Sequence, residues 1–182
     1  LEEAIVGRRA AMPLRVVTEE FSGRVRRSAL RILMENVLCS MSTVATGNQT
    51  HINTAYFCFS DDLELYFLSD PGSTHCENLA VNPSMAIAIF RSTQRWGGSD
   101  RGMQLFGVCR EANGREAAQA ERLYRKRFRL YAKWMAGTSE REKPLATDLR
   151  AYRFYRFVPR KVKILDEAEF GGGVLVTAAL TR

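Results

Sequence analysis

The chain has 182 residues, 46% of them hydrophobic, and a formal net charge of +7. That is enough for one domain with a core of its own, no apolar run approaches bilayer-spanning length, and no apolar signal-peptide core opens the chain, so an intracellular, cytoplasmic protein is expected. The basic balance favours phosphate-bearing partners, yet the cations are scattered and no nucleic-acid motif accompanies them, so a phosphorylated cofactor or a merely soluble surface is expected before nucleic acid.

Residues 1–18 lack periodicity and read as an N-terminal arm, of low order or laid on a partner subunit. A helix is predicted over about Gly23 to Leu38, with Ser22 as N-cap. Leu30, Leu33, Met34 and Val37 recur there at helical spacing, and arginines take the other side. Cys39 to Thr46 reads as a strand ended by Gly47-Asn48. Thr50 to Phe59 and Leu63 to Leu68 form the clearest hairpin, turning at Ser60-Asp61-Asp62. In its first strand Ile52, Thr54, Tyr56 and Cys58 share one face, and His51, Asn53, Ala55, Phe57 and Phe59 the other. Both faces are apolar toward the end, so burial on two sides is expected. A hydroxyl-rich loop, Ser69 to His75, opens a short helix that closes at Asn82-Pro83.

Ser84 to Arg91 is the next strand, and Met103 to Arg110 returns as its antiparallel partner after a polar loop. A long helix is predicted from about Arg115 to Ala136, stopped by Gly137. Its run of arginines and lysines reads as a solvated face. Thr138 to Leu149 reads as a loop and Arg150 to Leu165 as one or two final strands. Residues 169–182, with Gly171-Gly172-Gly173, form a C-terminal tail, flexible or adding a strand at an interface. The body, residues 19–168, is therefore mainly β: a small β-barrel with flanking helices.

The four cysteines are widely spaced without a C-x-x-C pair, which argues against zinc. Two histidines without H-E-x-x-H make a catalytic metal site unexpected. No Ser or Cys sits in a hydrolase nucleophile motif. The chemistry-bearing segment is Ser69-Asp70-Pro71-Gly72-Ser73-Thr74-His75, a strand end running into a helix N-terminus. Unpaired N–H groups and a partial positive charge gather there, and Ser69, Ser73, Thr74 and His75 add donors. An ordinary strand-to-helix turn with a Ser73 or Thr74 cap is the competing reading. Asn53 and Thr54 are unusual in an apolar strand, and a buried amide needs a partner. Strand-start exposure is the alternative for Asn53, and His51 is open between surface and site.

Ser69, Ser73-Thr74-His75, Asn78-Leu79 and Asn82-Pro83 together resemble the pyridoxamine 5'-phosphate oxidase-like family of FMN-binding split barrels. The resemblance extends more weakly from about Arg24 to Asp166. It implies a homodimeric split barrel binding FMN at the subunit interface, with the phosphate on Ser69, Ser73, Thr74 and His75. It also implies that the strand of His51, Asn53 and Thr54 runs beneath the flavin ring. Gln104, three residues before Gly107, takes the position of a family glutamine that often reaches FMN from the second subunit. Trp96, in the preceding loop, is placed to cap the flavin, to line a substrate pocket or simply to pack on the core.

The family's Arg-x-Val-Leu-Leu-Lys run and its C-terminal Trp-x-Gly and Arg-Leu-His are missing, so pyridoxamine phosphate is not the expected substrate. The implied activity is electron transfer between FMN and a small organic substrate, with no side chain standing out as a catalytic acid or base. A flavin carrier without turnover is the alternative. So are a haem protein ligated by His51 or His75 and a deazaflavin protein whose long basic helix meets an acidic tail. The family often has Lys where His75 stands. A bound phosphate favours imidazolium there, so FMN affinity is expected to fall as pH rises above neutrality.

Overall fold

The structure is a computed structural model that describes residues 13–137 and 139–181. The first twelve residues of the expected arm, and Thr138, lie outside that range. In chain order the elements are β1 (Arg15–Thr18), α1 (Gly23–Glu35), β2 (Leu38–Val44), β3 (Thr50–Phe59), β4 (Leu65–Ser69), α2 (Thr74–Val81) and β5 (Ser84–Phe90). Then come β6 (Arg101–Glu111), α3 (Arg115–Arg127), α4 (Arg129–Ala136), α5 (Glu142–Ala151), β7 (Arg153–Asp166), α6 (Glu167–Phe170) and β8 (Val174–Ala179).

Strands β7, β4, β3, β2, β5 and β6 pair in that order, and β6 pairs back to β7, closing an antiparallel barrel. The fold is a split β-barrel with flanking helices, as the strand pattern predicts. The split lies on β7. Its first half, Arg153 to Phe157, takes β4 as neighbour, and Lys161 to Leu165 on the same edge take β8. Alternate residues fill the interior: Phe57, Leu65, Phe67, Leu105, Phe157 and Ile164 are fully buried. The β6–β7 register shifts between Phe106 and Gly107. A Cβ at Gly107 would lie 2.1 Å from the Val158 carbonyl oxygen, so only glycine allows the two strands this approach.

Several boundaries differ from the sequence expectation for identifiable reasons. Helix α1 stops at Glu35 rather than Leu38, because Asn36 turns extended and β2 takes up Leu38. Asn36 Nδ2 donates to the Ile32 carbonyl at 2.8 Å, and Arg127 donates to the carbonyls of Leu33 and Asn36. A cation thus closes the negative end of α1. The long basic helix breaks at Phe128, whose ring packs on Tyr124 and Tyr56 with centroids 4.5 and 5.7 Å away. The stretch expected as a loop holds α5, with Pro144 in its first turn, where no N–H is needed.

The glycine-rich tail carries β8, which pairs with β7, and β1 runs parallel beside β8. Two-sided burial of β3 holds only near its end. Phe57 and Cys58 are buried, whereas Ile52 and Tyr56 stand exposed on the outer face.

Candidate functional site

The site begins with a mismatch in strand length. β3 is ten residues long, but only Phe57, Cys58 and Phe59 pair with β4. From Thr50 to Tyr56 it has β2 on one side and, among the described residues, no strand on the other. Helix α2 packs beside this opening, against the end of β2. Asn78 Nδ2 donates to the buried Thr43 hydroxyl at 3.1 Å, and Cys76 and Leu79 enter the core.

The loop leading into α2 is fixed by its own bonds. Asp70 Oδ1 accepts from the Gly72 N–H at 2.9 Å, and the Asp70 carbonyl accepts from the Ser73 N–H and from Ser73 Oγ. Ser73 occupies the N-cap position but spends its hydroxyl on that turn instead of on the helix. The N–H groups of Thr74 and His75, at the positive end of α2, take no acceptor among the described residues. The Thr74 side chain is exposed beside them.

His75 is buried at the centre of this corner. Its Nε2 lies 2.7 Å from Ser69 Oγ, 3.2 Å from Ser73 Oγ and 3.4 Å from Asn53 Nδ2. The half-buried His51 ring lies parallel to it, with centroids 6.4 Å apart. One ring nitrogen engages one such group at a time. The cluster therefore holds more hydrogen-bonding capacity than its internal contacts use. Burial first, and then the neighbouring His51, push the His75 pKa below its ordinary value of 6.5. Among the described residues no Lys or Arg side chain hydrogen-bonds to the cluster. Arg153 is register partner to Ser69, and its Nη1 donates to the carbonyls of Arg150, Ala151 and Tyr152. Hydroxyls, an amide, an imidazole and free N–H groups at a helix start fit the phosphate of FMN. The unpaired edge of β3 beside them offers backbone donors and acceptors to a flat, polar-rimmed ring.

Thr54 and Gln104 lie elsewhere, on the outer face of the barrel. Strand register aligns Thr54 with Ser40, Ser40 with Ala88, Ala88 with Gln104, Gln104 with Lys163, and Lys163 with Thr177. This is one continuous row of small or polar side chains. A shallow hollow of about 230 Å³ over Ser40, Ser42 and Ala86 and a groove of about 310 Å³ toward Leu165 and Leu175 both include Ala88 and Gln104.

The structure thus brings His51, Asn53, Ser69, Ser73 and His75 together, with Thr74 at their rim. It sets Thr54 and Gln104 three strands apart, roughly 14 Å, on the other face. Trp96 is 99% exposed on the β5–β6 loop. Strand β5 leads away from α2 to that loop, so Trp96 and His75 sit at opposite ends of the barrel, and Trp96 packs on no core. Sequence reasoning missed Ser40, Ala88, Lys163 and Thr177, because only register reveals their row. Among the described residues no group of three or more His, Cys, Asp or Glu is placed to hold a metal. No helix among them is long and apolar enough to cross a membrane.

The family profile described as pyridoxamine 5'-phosphate oxidase matches residues 27–166. A haem-binding protein from Mycobacterium smegmatis superposes with a TM-score of 0.67 at 14% identity, over 87% of this chain and 59% of its own. This chain therefore spans about three fifths of that protein. A putative pyridoxamine 5'-phosphate oxidase from Listeria innocua gives 0.59 at 17% identity, over 78% and 98%. The haem storage protein of Vibrio cholerae gives 0.52 at 15%, over 81% and 91%. Comparison with curated proteins finds no match.

Proposed function

Because the chain belongs to the pyridoxamine 5'-phosphate oxidase family, we propose that it is a homodimeric cytoplasmic flavoprotein that binds FMN and passes electrons between it and a small organic substrate. The observation that carries this reading is the corner where the unpaired edge of β3 meets the hydroxyl-lined N-terminus of α2. The N–H groups of Thr74 and His75, with the Ser69 and Ser73 hydroxyls, hold the phosphate. Asn53 and His51 close the wall behind it, and the free backbone groups of β3 meet the polar rim of the ring. When bound, FMN supplies hydride or electron-pair exchange; the chain's own residues bind, orient and exclude water.

A dimer is supported by the outer face, where Leu38, Ile52, Tyr56 and Phe90 are exposed on one chain. A second copy on that face brings its Gln104 toward a ring anchored at the first copy's α2. Four free cysteines, all buried, suit a reducing compartment.

The test is the visible spectrum of purified, desalted protein before and after soaking in FMN, followed by NADH or NADPH. Flavin bands at about one per chain that bleach with a reductant are expected. Flavin that binds but is never reduced or reoxidised by a substrate makes the protein a carrier. A Soret band points instead to haem, with the partly exposed His51 as the available ligand. Uptake of a deazaflavin in place of FMN points to the basic α3. The lack of any chromophore from either sample overturns the flavin reading.

A further inference from the structure

The outer groove contains a cation without a carboxylate partner among the described residues. Lys163 projects from the middle of β7 next to Gln104, and its ammonium stands 5.4 Å from the Phe106 ring centroid. No carboxylate lies within ion-pair distance of it among the described residues. The neighbouring cation in the same groove, Arg101, is by contrast committed to Glu35 and Asp166. The walls are apolar: Phe90, Leu165 and Leu175. Asp100, the last residue of the β5–β6 loop and four residues before Gln104, also lines the groove, so its carboxylate disfavours a second anionic group there.

An ammonium at one end of a small apolar groove is a recognition element for a small organic monoanion. The ammonium pairs with the carboxylate while the hydrocarbon body lies on the leucines. The groove shares Ala88 and Gln104 with the hollow over the small-residue floor. A molecule held here therefore abuts whatever flat ring lies on that floor. We propose that the Lys163 groove is the substrate subsite and that the substrate is a small organic acid with an apolar body, its carboxylate held by Lys163. The assignment as a substrate site rests on the flavin reading; the binding of a carboxylate does not.

Calorimetric titration of the dimer with benzoate tests the two separately. Wild-type protein is expected to bind benzoate, with or without added FMN, and more weakly in high salt. Lys163→Met keeps an unbranched apolar side chain but removes the ammonium and is expected to weaken benzoate at least about tenfold, as for other lost charge-assisted hydrogen bonds. Lys163→Arg is expected to retain most of the affinity, and FMN affinity is expected to stay within about twofold in both variants. Benzoate binding that is undetectable in wild type, or equal in Lys163→Met, overturns the proposal. Loss of FMN binding in Lys163→Met overturns it too, because Lys163 would then serve the cofactor. Benzoate binding that depends on Lys163 in a protein that takes up no flavin leaves the subsite standing and removes only the flavin reading.

Discussion

The corner beneath β3 and the row across the outer face are built on opposite principles. At the corner the polar groups are bonded to one another around the buried Ser69 and His75, and burial lowers the His75 pKa. On the outer face they are open, spaced one per strand, and include the permanent cation of Lys163. The corner is pre-organised, so a ligand there meets fixed donors at little ordering cost. The outer row is a floor with little shape of its own, completed by whatever is laid on it. The corner offers free helix N–H groups and hydroxyls at one point. The row carries two adjoining hollows, of about 230 and 310 Å³, that share Ala88 and Gln104.

Removing the corner gives the largest expected effect. Asn53→Ala with His75→Ala takes away an amide and the imidazole that contacts both serines. Each lost hydrogen bond to a charged group is worth roughly 1.5–3 kcal/mol, so FMN affinity is expected to fall about a hundredfold. An unchanged dissociation constant from fluorescence titration places the phosphate elsewhere. Ala88→Trp is the matching test of the outer face, because an indole there fills the space shared by both hollows. Flavin retention through gel filtration is expected to drop about tenfold or more while the melting temperature stays close to wild type. Normal retention means that the ring does not lie on this row.

The two regions were unequally legible in the sequence. Ser69 to His75 announces itself, because a strand, turn glycine, hydroxyls and helix start are all local signals. The burial of His75, which pushes its pKa below the ordinary value, is tertiary and left no local mark. Thr54 and Gln104 stood out one at a time, yet their partners Ser40, Ala88 and Lys163 look like ordinary strand residues until register aligns them. The barrel itself was readable from alternating apolar strands. The break at Phe128 was not, since the ring leaves the helical pattern to meet Tyr56 on β3. Val174 to Ala179 was hidden by the triple glycine ahead of it, although its own alternation suits the edge of β7.

The pH dependence of binding should separate the corner from the row. A phosphate dianion stabilises the His75 imidazolium, while burial and His51 oppose it in the free protein. FMN affinity is therefore expected to strengthen severalfold as pH drops from about 7.5 toward 5.5, a window shifted to acid by that burial. The phosphate itself titrates near pH 6, so the measure is the difference from His75→Gln, which keeps only the phosphate's own dependence. Identical profiles in the two proteins remove His75 from the phosphate site.

The smallest effect needs no ligand. The pKa of His75 is lower folded than unfolded, so between its folded value and about 6.5 the unfolded chain binds the extra proton. Its contribution to stability is fully present above pH 6.5 and is lost as pH falls through the folded value, at no more than about 1.4 kcal/mol per pH unit. Denaturant midpoints taken from pH 7 down to pH 5 should fall more steeply for wild type than for His75→Gln. Equal slopes for wild type and His75→Gln mean that water reaches the imidazole freely, and the corner then loses the pre-organisation that distinguishes it from the row.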